Sequence, residues 1–354
     1  MAPITSEVVR NVLHKIKGPD LESDIVSLGL ISEILIADGK VFFSITVPDG
    51  RVQEWESLRR SAEKVVCALE GVESVFITLT AEKTTKLSAS RRRANLLPVK
   101  MPIEGVRHVI AVASGKGGVG KSTMAINIAL ALQDSGFKTG MMDADIYGPS
   151  LPRLTGLINQ KPQLIGEKKI QPLEKFGLKL MSMGFLVEEE KPVVWRGPMV
   201  MAAVTQLLRD VVWGPLDVLV VDMPPGTGDA QLTLAQQVQL TGALVVSTPQ
   251  DLALVDARKA IEMFMKVNVP ILGLIENMSC FIAPDTGKRY DIFGYGGARA
   301  EAERREVPFL AEIPLDPALR LSSDEGVPIF VAKPSEELAK LYRTIVDQIK
   351  NKLF

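Results

Sequence analysis

The chain has 354 residues, of which 46% are hydrophobic and 23% are charged, and its formal net charge is −1. This length allows two domains with a sizeable core, and the composition excludes a largely disordered chain. The near-zero net charge excludes a general attraction to nucleic acid or to an acidic membrane, so we expect neither as a partner. No apolar run approaches the ~18 residues of a membrane span, and the N-terminus lacks a signal-peptide core. We therefore expect a cytoplasmic protein without stable membrane insertion.

The cysteines limit the redox and metal chemistry of the chain. There are two, Cys67 and Cys280, together with two histidines. Two thiols cannot form a disulfide framework, which agrees with a reducing compartment, and a His/Cys zinc site within one chain is not expected. Cys67 lies among apolar residues of a predicted helix, so we predict that it belongs to the core.

Residues 1–81 have the pattern of a small α+β domain. Asp38–Gly39 is a strong hairpin-turn signal between two apolar segments. The predicted elements, in chain order, are a helix over Val8–Ile16, strands over Ile31–Ala37 and Lys40–Val47, a helix over Trp55–Leu69 and a strand over Val72–Leu79.

The next segment, residues 82–105, is rich in Lys and Arg and contains two prolines, which predicts a basic linker. Its run Arg91–Arg93 is open between a phosphate or partner contact and a solvated linker. The charge pattern favours the solvated linker.

From residue 106 to residue 354, short apolar strands that end in polar residues alternate with helices. The predicted strands are Val109–Ala113, Thr139–Met142, Val218–Val221, Ala243–Ser247 and Ile271–Ile275. Continuous apolar strands are typical of a mostly parallel sheet covered by helices on both faces, with ligands at the carboxyl ends of the strands. We predict an α/β fold of this kind, preceded by the small α+β domain.

The most specific motif follows the first of these strands. Gly115–Ser122 satisfies G-x-x-x-x-G-K-[ST] at every fixed position, and an amphipathic helix is predicted over Met124–Leu132. Glycines let consecutive backbone N–H groups converge on phosphate oxygens at the positive end of a helix. Lys121 would neutralise the terminal phosphates, and Ser122 would ligate Mg²⁺. The sequence thus predicts a P-loop NTPase whose nucleotide-binding loop is Gly115, Lys116, Gly117, Gly118, Val119, Gly120, Lys121, Ser122 and Thr123.

Carboxylates follow two further strands. Asp222 ends one apolar run and is the expected second partner of Mg²⁺. The turn after it is predicted to place the N–H of Gly226 near a γ-phosphate. Asp143 and Asp145 follow another apolar strand and point the same way if the strand stays extended there. One of these two can assist Mg²⁺ while the other orients the attacking water, a division that hydrolysis requires.

Lys116 is a second lysine in a loop that needs only one. Two interpretations of Lys116 remain: a solvated charge, or a lysine that reaches the nucleotide of a facing subunit. In the second case it would stabilise transition-state charge as an arginine finger does. Hydrolysis would then depend on dimerisation.

These motifs together resemble a known family. The loop with Lys116 resembles the deviant P-loop of the MinD/ParA/nitrogenase-iron-protein group. With Asp143–Ser150, Asp222–Asp229 and Glu276–Ser279, the chain resembles one branch of this group, the Mrp/ApbC iron–sulfur cluster carrier ATPases. Asp24–Leu30 resembles part of the small domain that precedes many bacterial members and occurs in other iron–sulfur assembly factors.

The resemblance implies a homodimer that binds Mg-ATP between facing subunits, with Lys116 entering the partner's site. It implies that Asp145 orients the hydrolytic water, which leaves Asp143 to assist Mg²⁺. It also implies that Asn277 contacts adenine.

Members of this branch hold a [4Fe–4S] cluster at the dimer interface through a Cys-Pro-x-Cys pair. Here Ala283 and Thr286 stand at the two cysteine positions, so the usual ligands are absent. Cys280 is the remaining candidate ligand, and it is open between that role and a small buried thiol. A symmetric dimer would bring two copies of it, fewer than the four thiolates that such clusters usually have.

The sequence therefore predicts an ATP-hydrolysing iron–sulfur cluster carrier that acts as a homodimer and transfers clusters to recipient or scaffold proteins. One alternative is a MinD/ParA-like spatial regulator, for which the apolar face of Glu336–Phe354 would serve as a membrane-binding tail. Another is a nucleotide-binding scaffold without cluster transfer.

Overall fold

The computed structural model describes residues 5–17, 23–32, 34–37, 39–48, 52–82, 100, 102–166, 168–187 and 197–353. The chain forms two compact units, Met1–Leu96 with Glu190–Ala203 and Leu97–Glu189 with Val204–Phe354. Most of the predicted basic linker, including Arg91–Arg93, lies outside the described residues.

Up to Glu82, the described residues of the smaller unit form a three-stranded sheet in the order β1-β2-β3 and two helices. Its elements are α1 (Ser6–Leu13), β1 (Leu35–Ala37), β2 (Lys40–Pro48), α2 (Val52–Cys67) and β3 (Ser74–Glu82). The predicted hairpin is confirmed, because β1 and β2 are antiparallel with Ala37 opposite Lys40, although Asp38 itself is not described. β3 pairs parallel to β2, and α2 packs on β3.

The prediction that Cys67 belongs to the core is wrong. Cys67 ends α2 and is exposed. The buried side chains of α2 include Trp55, Leu58, Ala62 and Val66, which recur every three or four residues. Cys67 directly follows Val66, and each helical residue is rotated by about 100° from the one before it. Its side chain therefore points away from the buried stripe.

The larger unit alternates strands and helices along the chain. Its elements are β4 (Val106–Ser114), α3 (Lys121–Asp134), β5 (Thr139–Asp143), α4 (Leu151–Leu154), β6 (Leu164–Ile165), β7 (Lys169–Ile170), β8 (Leu173–Lys175), β9 (Leu178–Ser182), a 3₁₀ turn (Met183–Phe185), α5 (Gly197–Asp210), β10 (Leu216–Asp222), α6 (Asp229–Gln237), β11 (Gly242–Ser247), α7 (Asp251–Lys266), β12 (Ile271–Ile282), β13 (Arg289–Tyr290), α8 (Gly297–Arg304), β14 (Phe309–Leu315), α9 (Pro317–Asp324), α10 (Ile329–Ala332) and α11 (Glu337–Leu353). The residues of α5 up to Ala203 belong to the smaller unit.

Most strands of this unit form one sheet in the order β13-β12-β11-β4-β10-β5-β9-β8, and β14 also pairs with β12, whereas β6 and β7 form a separate antiparallel pair. The pairings are parallel except at β8 and β13. All six residues of β11 and all five of β5 are buried. Because successive side chains of a strand point to opposite faces, both faces of the sheet are covered. The predicted α/β fold is confirmed.

Helix α3 is more deeply buried than predicted. Every residue from Met124 to Leu132 is buried, so the helix is not amphipathic. Its outer side is covered by α10 and α11, and the backbone N–H of Phe330 in α10 donates to the side chain of Asn127 at 3.0 Å. The sequence of α3 alone does not show which later helices cover it.

The C-terminal apolar stripe also packs within the fold. In α11, Leu338, Ile345 and Ile349 are buried, and the helix contacts α3 and β14. Leu341, predicted on the same stripe, is half-buried. Across the described residues, no helix combines the length and the hydropathy that crossing a bilayer requires.

Candidate functional site

The glycine-rich loop lies at the carboxyl end of β4, which sits between β10 and β11 in the sheet. Gly118 and Gly120 have φ angles of 83° and 85°, a region that residues with a Cβ rarely adopt. A Cβ on Gly115 would lie 2.1 Å from the backbone carbonyl carbon of Asp256 in α7. These glycines are therefore required by backbone conformation and by close packing.

The loop ends at the start of α3 with its amides open to a ligand. Gly120 is the N-cap, and no side chain of the described residues caps the helix. The first N–H groups of a helix lack intrahelical partners and carry the positive end of its dipole, which suits an anionic phosphate. The open cleft beside them has a volume of about 230 Å³ and is lined by Ser114, Lys116, Gly117, Gly118, Gly120, Lys121, Ser122, Thr123, Asp145, Gly148, Ser150, Leu154 and Pro225.

A buried ion pair lies at the base of this cleft. Nζ of Lys121 is 2.5 Å from Oδ1 of Asp222 and 3.9 Å from Oδ2 of Asp145. The side chains of Lys121 and Asp222 are 6% and 0% exposed. Burial raises the pKa of Asp222, and the ammonium of Lys121 acts in the opposite direction.

The second oxygen of Asp222 is the atom that fits a metal-bound ligand. Oδ2 is buried and has no hydrogen-bond partner within the described part of the chain. An unpaired buried carboxylate oxygen is costly, and Mg²⁺ with its retained waters takes such oxygens. The Ser122 hydroxyl lines the same cleft, 3.3 Å from Nζ of Lys121. The residues present therefore fit a magnesium ion bound together with a phosphate ligand.

Asp143 is held by protein donors. Its Oδ1 accepts from the N–H of Asp145 at 3.0 Å. Its Oδ2 accepts from the N–H groups of Ser150 and Leu151 and from the hydroxyl of Ser182, at 3.0, 3.2 and 3.0 Å. Burial and the nearby Asp222 raise the pKa of Asp143 to about 7.

β5 ends at Asp143 and the chain turns after it, so the condition under which Asp143 and Asp145 would point the same way is not met. Oδ1 of Asp145 accepts from the N–H of Gly148 at 3.3 Å, and Oδ2 faces Lys121. Burial raises the pKa of Asp145, whereas Lys121 lowers it. In the same loop the Ser150 hydroxyl lines the cleft and has no hydrogen-bond partner among the described residues.

The turn after Asp222 is tied to the glycine-rich loop. The N–H of Gly226 donates to the carbonyl of Ser114 at 2.8 Å, so in this arrangement it is already paired. Gly226 has a φ of 97°, and the side chain of Gln231 donates to the carbonyl of Pro225. The hydroxyl of Ser114 in turn donates to the carbonyl of Lys116 at 2.9 Å.

Asn277 contacts the loop from the other side. β12 extends to Ile282, beyond the predicted end at Ile275, and places Asn277 within the strand. The side-chain amide donates to the carbonyl of Val119 at 2.8 Å, and Oδ1 has no partner among the described residues. The adenine contact predicted for Asn277 stays a prediction.

Cys280 is a buried residue of β12. The hydroxyl of Ser279 lies 3.9 Å from its Sγ. The positions of the missing cysteines, Ala283 and Thr286, lie in a closed turn, in which the N–H of Gly287 donates to the carbonyl of Ala283 at 2.8 Å. Over the described ranges, no group of three or more His, Cys, Asp or Glu side chains is arranged to hold a metal.

Sequence reasoning missed the supporting residues of this site. Ser114, Ser150, Ser182 and Gln231 were given no role, yet each bonds to or lines the predicted machinery. Ser182 ends a short apolar strand, the same pattern that identified Asp222, so the signal was present. The sequence does not predict the strands of this region, because β6 to β9 have only two to five residues each.

A strand, a glycine-rich loop, a helix N-terminus and a buried Lys–Asp pair at one end of a parallel sheet define a P-loop NTPase. Family models agree with this class. The chain belongs to the family described as NUBPL iron-transfer P-loop NTPase, which matches residues 105–350. Residues 6–77 match a second family, described as iron-sulfur cluster assembly protein.

The chain is also similar to individual proteins. It is 42% identical to an iron-sulfur cluster carrier protein of Synechocystis over 99% of this chain and 98% of that protein. It is 52% identical to the mouse iron-sulfur cluster transfer protein NUBPL over 73% of this chain and 81% of that protein. A solved nucleotide-binding protein in complex with ADP from Archaeoglobus fulgidus is 37% identical, with a TM-score of 0.59, over 68% of this chain and 93% of that one.

Proposed function

We propose that this chain is a cytoplasmic ATPase that carries iron–sulfur clusters and transfers them to recipient proteins as a homodimer. The observation that carries the proposal is the buried pair of Lys121 and Asp222 beside the uncapped start of α3. Such a pair provides a cation for phosphates and a carboxylate for magnesium in one place. The cargo is proposed from the families and relatives to which the chain is similar.

ATP binds with its phosphates on the amides of the loop residues 115–123, and Lys121 moves from Asp222 to the terminal phosphates. Ser122 and the unpaired Oδ2 of Asp222 would hold Mg²⁺, directly or through water. Mg²⁺, when bound, supplies positive charge that neutralises the phosphate oxygens. The magnesium contact predicted for Asp143 stays a prediction. The two oxygens of Asp143 already accept hydrogen bonds from four protein donors.

Asp145 orients the attacking water. As water attacks the γ-phosphorus, a new P–O bond forms, the bond between the γ-phosphorus and the bridging oxygen breaks, and ADP leaves with those electrons. The proton of the water passes to solvent or to the released phosphate. Asp145 lies at the cleft wall, 13% exposed, where it can accept a hydrogen bond from a water. For the N–H of Gly226 to meet the γ-phosphate, it must leave the carbonyl of Ser114.

A second subunit completes the site. Lys116 lines the cleft and would enter the partner's cleft in the dimer. Large apolar side chains are exposed near the carboxyl ends of parallel strands: Tyr147 follows β5, Leu252 follows β11, and Ile292 and Tyr295 lie in the segment whose Gly294 and Gly297 approach Pro249 after β11. Exposed apolar side chains grouped at one end of a protein are typical of an interface, and a facing subunit would cover them.

The ATPase part is tested by phosphate release from Mg-ATP. We expect Lys116→Ala to reduce the rate by about 10³-fold or more, the range for a charge supplied in trans. Asp145→Ala should also abolish most of the activity, while both variants retain ATP binding. Lys138→Ala removes an exposed lysine at the opposite end of β5 and is the matched control. Unchanged rates in the first two variants would remove the roles assigned to them.

The carrier part is tested by anaerobic reconstitution with iron and sulfide, followed by absorption and electron paramagnetic resonance spectroscopy. We propose Cys280 as a cluster ligand, so Cys280→Ala should retain less iron than the wild type. Cys67→Ala, which removes an exposed thiol of the other unit, is the control. If the wild type retains no iron, the carrier proposal fails while the ATPase proposal stands.

The spatial-regulator alternative depends on a C-terminal membrane tail. The stripe that would form it is buried against α3 and β14, so no structural observation favours this alternative. The scaffold alternative would be supported by ATP binding without any phosphate release.

A further inference from the structure

The catalytic loop that carries Asp145 is supported by a neighbouring strand. Ser182 ends β9, and the parallel register places it directly beside Asp143 at the end of β5. Ser182 is fully buried. Its hydroxyl donates to Oδ2 of Asp143 at 3.0 Å and accepts from the N–H of Gly184 at 3.0 Å. Because a serine hydroxyl has one proton, its whole donor capacity is used on Asp143.

Asp143 links Ser182 to the loop through hydrogen bonds. Its carboxylate accepts from the backbone N–H groups at the start of the loop, Asp145, and at its end, Ser150 and Leu151. One buried side chain therefore fixes both ends of the segment that presents Asp145 and the unpaired Ser150 hydroxyl to the cleft.

A steric contact supports the same loop at a second point. A Cβ on Gly184 would lie 2.8 Å from Cγ of Pro152 and 3.2 Å from Cβ of Pro149. Only a residue without a side chain allows the 3₁₀ turn after β9 to approach the loop this closely. The segment 182–184 thus meets the catalytic loop through one hydrogen bond and one close backbone approach.

We propose that Ser182 and Gly184 are positioning residues for ATP hydrolysis, which hold Asp145 and Ser150 in place through Asp143 and the two prolines. This inference rests on the proposed ATPase function. Neither residue touches the cleft, so their effect is on the geometry of the loop and not on nucleotide affinity. Small displacements of a reacting group lower the rate strongly, because catalysis depends on near-attack geometry.

The test compares Ser182→Ala with Thr139→Val. Thr139 is a buried residue at the end of β5 opposite to Asp143, and its hydroxyl donates to the carbonyl of Phe137 at 3.0 Å. Both variants delete one buried hydroxyl, but only one of the hydroxyls contacts Asp143. Three quantities are measured: the steady-state rate of phosphate release, the Kd for Mg-ATP, and amide hydrogen exchange of the peptide covering residues 143–152.

For Ser182→Ala we expect a kcat reduced by about tenfold, an unchanged Kd, and exchange in residues 143–152 that is about tenfold faster, the size of effect that loss of one buried hydrogen bond has. Thr139→Val should keep the wild-type values of all three. Gly184→Ala keeps every hydroxyl and should reproduce the Ser182→Ala pattern through the clash with Pro152, so it decides the matter if Ser182→Ala does not fold.

Equal rates and equal exchange in Ser182→Ala and Thr139→Val would overturn the inference, as would a reduced affinity with an unchanged kcat. The exchange measurement requires no hydrolysis. If the wild type releases no phosphate, the proposed ATPase function fails, and the exchange of residues 143–152 still shows whether Ser182 holds the loop.

Discussion

The cluster of one lysine and three aspartates allows us to predict how a substitution changes the stability of the nucleotide-free protein. Nζ of Lys121 lies 2.5 Å from Asp222 and 3.9 Å from Asp145, and Asp143, a residue that is 1% exposed, lies beside Asp222 in the sheet. The change Lys121→Met keeps the length and the apolar stem of the side chain and removes the charge. The buried carboxylates of Asp143 and Asp222 and the partly exposed one of Asp145 would then be left without their cation.

The expected magnitude follows from this burial. Removing one partner of a buried ion pair costs about 3–5 kcal/mol, because the other charge is left uncompensated. Burial raises the pKa of Asp222 and raises that of Asp143 to about 7, so proton uptake relieves part of the cost. We therefore expect the lower end, a loss of about 3 kcal/mol at pH 7, which lowers the unfolding temperature by about 6–12 °C. The loss should shrink as the pH falls, since protonated carboxyls need no cation.

Asp222→Asn is the comparison that tests the reasoning. It keeps the shape and an acceptor oxygen for Lys121, and it removes one of three negative charges. In this variant Lys121 still has the carboxylate of Asp145 at 3.9 Å, so its charge is not left uncompensated. We therefore expect the free energy of unfolding to fall by less than about 1 kcal/mol, which is less than the cost of breaking a buried ion pair. The assay is calorimetric unfolding in EDTA without nucleotide, at pH 7 and pH 5.5. A loss in Asp222→Asn that equals or exceeds that in Lys121→Met would refute this account of the site.

Three further predictions concern other parts of the chain. Gly115→Ala should lower the unfolding temperature, because its Cβ would meet the backbone of α7 at 2.1 Å. A Cβ on Gly117 would have no atom of the described residues within 4 Å, so Gly117→Ala should unfold like the wild type and only weaken ATP binding. Calorimetry measures both quantities. Ile345→Ala in α11 removes a fully buried side chain and should cost about 2–5 kcal/mol in denaturant unfolding; an unchanged midpoint would mean that the helix is not packed. Hydrogen bonds from the backbone and side chain of Ser27 lower the pKa of Asp24 to about 2, so its contribution stabilises the fold above about pH 4 and is lost as the pH falls towards 2. Nuclear magnetic resonance titration of the carboxyl should give that midpoint, and a value near 4 would contradict it.

Much of the large unit follows from local sequence. The P-loop match is decided by residue type at fixed spacing, and the apolar runs before Gly115, after Lys138 and before Asp222 specify strands because β-branched and apolar residues suit a sheet covered on both faces. The hairpin at Asp38–Gly39 likewise depends on two consecutive residues. Such signals depend on neighbours in the chain, so they are visible without coordinates.

Other features depend on partners far away in the chain. Lys121 and Asp222 are 101 residues apart, and Ser182 and Asp143 are 39 residues apart. Their contacts are set by strand order and register, since β4 and β5 both neighbour β10 and since β5 neighbours β9. No local pattern encodes these distances.

The amino-acid sequence by itself determined the nucleotide-binding loop, the acidic strand ends and the alternation that gives an α/β sheet, because each is a property of adjacent residues. Tertiary structure alone decided that α3 is covered on all sides, that the stripe of α11 packs inward, and that Gly226 pairs with Ser114. It also decided that four donors occupy Asp143. Burial and hydrogen bonding are set by whichever segments the folded sheet brings together, and that assembly is a property of the whole chain.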